Sequence, residues 1–190
     1  MPMSKSVAPR TALLFHKADR FELRFCQQLN QFGGYRAVRV FFKGVSRLGD
    51  GVFWYSLMLA VIALMGMQGI QVVGHIVVCG ALSVLLYSQL KSRLVRQRPF
   101  ISWQGIHAHT APLDLYSFPS GHTMNAVNFA LLFSVFVPAL AWLVVPFAAL
   151  VAISRVVLGM HYPTDVLVGA VLGLLISSGS LLLWPGGMFA

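Results

Sequence analysis

The chain has 190 residues, of which 57% are hydrophobic and 10% charged, and its 14 basic and 5 acidic side chains give a net charge of +9. A soluble domain carries roughly 25% charged residues, so this composition excludes an ordinary soluble enzyme, and its hydrophobicity excludes a disordered chain. Residues 51–90, 123–154 and 166–190 contain no Asp, Glu, Lys or Arg. At about 20 apolar residues per bilayer crossing, these stretches predict two, two and one transmembrane helices.

The elements follow in chain order. Nine of the 14 basic residues (Lys5, Arg10, Lys17, Arg20, Arg24, Arg36, Arg39, Lys43 and Arg47) precede residue 50. Such a polybasic stretch predicts contact with anionic lipid rather than with nucleic acid. Ala12–Phe15, the longest early apolar stretch, is too short for a signal-peptide core, so the first long apolar run is expected to target and anchor the chain. Phe21, Phe25 and Leu29 recur every four residues, and Gly33-Gly34 interrupts the pattern. Residues 11–47 therefore predict two amphipathic helices lying at the membrane interface. Cys26 and Cys79 lie in segments of different character and offer neither a disulfide framework nor a metal-binding pair.

Gly49-Asp50-Gly51 opens the first predicted span, about 52–68, and a turn at Gln68-Gly69 leads to the second, about 70–90. A polar loop over 91–119 follows. The third span runs from Ser120 to Pro138, and the fourth covers about 140–157 with a kink expected at Pro146. The fifth starts at Pro163, a favoured first-turn position, and runs to about Trp184. The expected fold is all-α: an integral membrane bundle of about five transmembrane helices over residues 51–190, preceded by a basic interfacial segment over residues 1–50. Gly169-x3-Gly173 permits close helix packing, within the monomer or at a dimer seam, and the oligomeric state is left open.

Parity brings the remaining polar residues together. Two spans separate residue 50 from residue 91, and two more separate residue 120 from residue 158, so 91–98, 119–122 and 154–165 meet at one membrane face. Lys91 and Arg98 are two helical turns apart and share a face if the second span continues that far. Arg93 and Arg96 read as residues snorkelling to the interface. Ser120 is a favoured N-cap, Gly121 lets backbone approach a ligand, and helix N-terminal amides attract anions. His122 projects from the same turn. Asp165 falls in the first turn after Pro163 and can reach back to His161, where a carboxylate on one ring nitrogen would leave the other free as nucleophile or base. With Arg155, the face offers cations, an anion-binding helix terminus and two histidines, a set suited to phosphoryl transfer. No carboxylate cluster or Cys/His set suggests a metal, so no metal or cofactor is expected, and the cations substitute for one.

The three motifs Lys91-x6-Arg98-Pro99, Pro119-Ser120-Gly121-His122 and Ser154-Arg155-x5-His161-x3-Asp165 resemble the signature of the type 2 phosphatidic acid phosphatase superfamily. The resemblance implies metal-independent hydrolysis of a lipid phosphate or diphosphate. It implies His161 as nucleophile forming a phosphohistidine, Asp165 orienting it, and His122 as acid for the leaving group and then base for water. Lys91, Arg98, Arg155, Ser120 and Gly121 would hold the phosphate oxygens. Larger members have six spans, whereas here the segment 11–47 replaces the first. Short bacterial members are similar, including ones acting on undecaprenyl diphosphate, which implies a multi-pass protein of the bacterial inner membrane with lipid phosphate and membrane lipids as partners.

Alternatives on the same residues are a lipid-to-lipid phosphotransferase, a vanadate-dependent haloperoxidase with a related anion cradle, and a non-catalytic protein binding anionic lipid. His75, in mid-span, reads as a neutral histidine bonded to a neighbouring helix. Asn125 and Asn128 read as tuning the site or bonding across helices. His107, His109 and Asp114 read as solvated loop residues. The positive-inside rule puts the N-terminus, and by parity the site, on the cytoplasmic side.

Overall fold

The computed structural model describes residues 10–112 and 116–183, with side chains from residue 19 onward. Asp114 and the expected end of the fifth span at Trp184 lie outside the described residues. The described residues form eight α-helices: α1 (Arg10–Phe32), α2 (Arg36–Arg47), α3 (Phe53–Met65), α4 (Met67–Arg93), the one-turn α5 (Pro99–Ser102), α6 (Gly121–Phe136), α7 (Ala141–Val157) and α8 (Pro163–Leu182). Most helix boundaries track the sequence punctuation, but the turn between the first two predicted spans falls at Gly66 rather than at Gln68-Gly69, which lie inside α4. Gly33 and Gly34 separate α1 from α2, α6 ends just ahead of Pro138, and Pro163 opens α8. Helix α7 continues through Pro146.

Among the described residues, four stretches are long and apolar enough to cross a bilayer: Arg36–Met65, Met67–Arg93, Pro138–Val157 and Pro163–Leu182. In the first, α2 runs into α3 through a wide turn at Leu48–Val52, where Gly51 takes φ 145° and bends the chain. That left-handed backbone suits glycine, which has no Cβ to clash. The predicted third crossing is α6, with 16 residues, or roughly 24 Å at 1.5 Å per residue. It packs on α4, α7 and α8 and is buried on several sides. A helix enclosed by other helices is freed from matching the thickness of lipid. The chain is a multi-pass, all-helical membrane bundle.

The main core joins α3, α4, α6 and α7. Trp54 is buried against Phe129, Phe133 and Phe147, with Met58, Ile76, Cys79, Val144 and Val151 around it. The outer surface carries exposed Leu59, Leu64, Val78, Trp142, Leu167 and Leu175, as expected for side chains that meet lipid rather than water. The small-residue pair on α8 faces inward: a Cβ at Gly173 would lie 2.4 Å from the Met124 carbonyl, and one at Gly169 would lie 2.6 Å from that of Ser120. This seam holds α8 against α6 within one chain.

Helix α1 has two unlike faces. Of the four-residue stripe, Phe21 and Phe25 are exposed while Leu29 is partly buried against the Cys26 cluster, and Asp19, Glu22, Cys26 and Asn30 are buried on the other side. Asn30 donates to the carbonyls of His107 (2.9 Å) and Val157 (3.1 Å) and accepts from the His107 amide (2.8 Å). The loop carrying His107 and His109 is thus tied through its backbone to α1, while the His107 side chain is exposed, as expected of a solvated loop residue. His109 also bonds backbone to backbone with Leu158. His75 lies 3.0 Å from Ser180 Oγ on α8, the interhelical bond expected of it.

Candidate active site

Lys91, Arg98, Gly121, His122, Arg155 and His161, far apart in sequence, line one cavity of about 580 Å³. The convergence predicted from span parity is what the fold produces. Each side chain is delivered by a helix end: Lys91 by the last turn of α4, His122 by the first turn of α6, Arg155 by the last turn of α7. Arg98 and His161 sit in the short segments just before α5 and α8. Burial differs among the cations. Arg98 and Arg155 are 2% and 5% exposed, whereas Lys91 is half-buried, its ammonium 5.6 Å from the centre of the Tyr87 ring. Arg98 donates to the Met160 carbonyl at 2.9 Å, and Arg155 to Ser46 Oγ on α2 at 2.6 Å.

His161 is 1% exposed. Its Nδ1 lies 2.7 Å from the Ser117 carbonyl oxygen. A carbonyl can only accept, so Nδ1 carries the hydrogen and Nε2 keeps its lone pair. Burial, reinforced by the positive charges of Arg155, Arg98 and Lys91, holds the ring's pKa well below the ordinary histidine value, so the ring is neutral near pH 7. This corrects the expectation about Asp165. Its Oδ2 is 3.7 Å from His161 Nδ1, beyond hydrogen-bond reach, and the tautomer is set by Ser117 instead.

Asp165 is fully buried and committed elsewhere. Oδ2 accepts from the Tyr162 amide (2.8 Å), closing the start of α8, and Oδ1 accepts from Arg96 Nη1 (2.5 Å). Arg96 overturns its own prediction as well. Instead of snorkelling, it is 1% exposed, with its guanidinium on Asp19 (2.6 and 2.9 Å), Glu22 (3.1 Å), Asp165 and Thr164 (2.7 Å). The Tyr162 ring lies 4.0 Å away. Glu22 in turn accepts from the Thr164 amide and hydroxyl, both at 2.7 Å. Helix α1 is therefore bolted by two carboxylates to the segment that holds His161. Arg93 is exposed, as predicted.

Ser120 caps α6: its hydroxyl lies 2.9 Å from Thr123 Oγ1 and accepts from the Thr123 amide at 3.4 Å. It is fully buried and is not among the residues lining the cavity, unlike Gly121. His122 Nε2 is hydrogen-bonded to the carboxylate of Asp50, which also lines the cavity. Sequence reading gave Asp50 no chemical role. A usable signal existed, since the chain has five acidic residues and an acid beside a long apolar run demands a partner. Asn125 lines the same cavity, and Asn128 donates to Ser83 on α4 at 3.1 Å. Among the described residues, no group of three or more His, Cys, Asp or Glu side chains is placed to hold a metal ion.

Comparison with known proteins places this geometry in context. Residues 72–186 match the profile of the PAP2 superfamily. The bacitracin transport permease protein BcrC of Bacillus licheniformis is 44% identical over 59 residues, covering 31% of this chain and 29% of that one. Phosphatidylglycerophosphatase B of Bacillus subtilis is 38% identical over 113 residues, 48% of each chain. The chain thus spans at most about half of these curated relatives. The crystal structure of Aquifex aeolicus LpxE superposes with a TM-score of 0.74 at 26% identity, covering 85% of this chain and 95% of that one.

Proposed function

The chain belongs to the PAP2 superfamily, and we propose that it hydrolyses a lipid phosphate or diphosphate through a phosphohistidine on His161. One observation carries this reading. His161 is a buried, neutral histidine whose Nδ1 is occupied by a carbonyl, and it lines a cavity with Lys91, Arg98 and Arg155. Nε2 attacks phosphorus, and the new N–P bond forms as the P–O bond to the leaving group breaks. The three cations and the Gly121 end of α6 stabilise the charge on the equatorial oxygens. His122 gives its proton to the departing oxygen, then accepts one from the water that cleaves the N–P bond and releases phosphate. Asp50 is a positioning residue for His122, holding its imidazole through Nε2. Asp165 acts on His161 through the backbone at the start of α8, together with Arg96. Ser120 serves by capping α6.

The test is His161→Ala in detergent-purified protein, with phosphate release from phosphatidic acid, phosphatidylglycerophosphate, undecaprenyl diphosphate and lipid A phosphates as readout. Release by the parent chain, insensitive to EDTA and abolished in the variant, is the expected result. Full activity in the variant would sink the mechanism. The nine basic residues ahead of residue 50 support a cytoplasmic cavity mouth, which labelling of a single cysteine placed near the C-terminus would check.

A further inference from the structure

A second cavity, of about 620 Å³, lies beside the first. The two share Asp50, His122 and Arg155 as their common wall. The far side of the second cavity is built by α2, which contributes Lys43 and Arg47. These residues are one helical turn apart and so stand on one face. The same face carries Ser46, the partner of Arg155. Both cations are exposed, free to reach a ligand entering from the membrane surface. The acid in this wall, Asp50, is engaged by His122. Among the described residues, three cations therefore face the second cavity against one carboxylate that already has a partner.

Position gives these charges a meaning. In an in-line displacement the leaving group departs opposite the nucleophile. Here the nucleophile is His161, which lines the first cavity and not the second, while the proton donor His122 stands between the two. The leaving group is therefore released towards the chamber holding Lys43 and Arg47. A neutral diacylglycerol has no use for two cations there, whereas a leaving group bearing its own phosphate does. We infer that the second cavity binds a second phosphate, on the leaving-group side of the substrate, and that the enzyme prefers lipids bearing two phosphates. This inference rests on the phosphatase reading. The second phosphate could be joined directly, as in a polyprenyl diphosphate, or through glycerol, as in phosphatidylglycerophosphate.

The experiment uses the full chain in neutral detergent micelles, which removes any general attraction of the basic helix to anionic lipid. The kcat/KM values for a polyprenyl diphosphate, phosphatidylglycerophosphate and phosphatidic acid are compared in the parent and in a Lys43→Gln/Arg47→Gln variant. The parent is expected to favour a two-phosphate substrate, and the variant to lose about tenfold of that preference. The substrate on which the preference rests identifies the linkage. An unchanged ratio, or an equal fall on all three substrates, would overturn the subsite. A second arm needs no turnover. Methylenediphosphonate should raise the thermal midpoint of the parent more than inorganic phosphate does, and this difference should vanish in the variant. Equal protection by both anions in the parent would overturn the inference. Absence of phosphate release from every substrate would instead sink the phosphatase reading, with the protection arm still reporting on the subsite.

Discussion

Replacing Arg96 with Met is the sharpest test of how the site is held. The guanidinium is 1% exposed and bonds three carboxylates, of which Asp19 and Glu22 are 7% exposed and Asp165 fully buried. Methionine matches much of the length but leaves those carboxylates without their cation. Breaking a buried ion pair by removing one partner costs about 3–5 kcal/mol. For a chain of this size that lowers the melting temperature by about 10 °C, read by tryptophan fluorescence or circular dichroism in detergent. The pH dependence gives a second handle. Burial already lifts the Asp19 carboxyl above its ordinary value, against the lowering effect of Arg96. Without the guanidinium it rises further, and a carboxyl whose folded pKa is raised loses stability as pH rises through that value. The deficit of Arg96→Met relative to the parent should therefore shrink as pH falls from 7 towards 4. A variant within about 2 °C of the parent at pH 7, or a deficit that grows on acidification, would refute the view that Arg96 clamps α1 and Asp165 together.

Other perturbations have equally definite outcomes. Asp50→Asn should lower kcat about 100-fold, within the span of general acid–base contributions, with KM little changed and partial recovery in Asp50→Glu; unaltered kcat would remove Asp50 from the proton path. For His161→Asn, the stability difference from the parent should vary with pH. The folded ring titrates well below 6.5 and the unfolded ring near 6.5, so the parent loses stability relative to the variant as pH falls below about 6.5, and a flat difference between pH 8 and 5 would contradict a buried neutral ring. Gly173→Ala should destabilise by about 1–3 kcal/mol, because its Cβ meets the Met124 carbonyl at 2.4 Å. Gly74→Ala, on α4 with nothing within 4 Å of the added carbon, should be neutral or stabilising by up to about 1 kcal/mol.

Helix α1 does more than present an apolar face. Its exposed Phe21 and Phe25 suit a membrane surface, while Asp19, Glu22 and Asn30 reach into the protein. Two of the chain's five acidic residues are thereby spent on Arg96. With Asp50 on His122 and Asp165 also on Arg96, every acidic residue among those described bonds a basic or titratable group around the site. In a chain this poor in charge, each ionic group placed among apolar residues must find a partner. The site is where those partners were available.

Hydropathy and local motifs carried the sequence-level reading. Runs without charge located the apolar helices, because the cost of burying a charge in lipid is written residue by residue. Gly33-Gly34 and Pro163 marked boundaries because their effect on backbone is local. Parity then sufficed to bring Lys91, Arg98, His122, Arg155 and His161 to one face. Tertiary packing decided the pairings. His161 turned to Ser117, 44 residues away, rather than to Asp165 four residues on, and His122 turned to Asp50 across 72 residues. Arg96 was drawn inward by acids on a helix 77 residues earlier. The orientation of a hydrogen bond depends on where whole helices come to rest against one another. No spacing along a single segment encodes that, so the residues that line the cavity were legible in the chain and the partners that orient them were not.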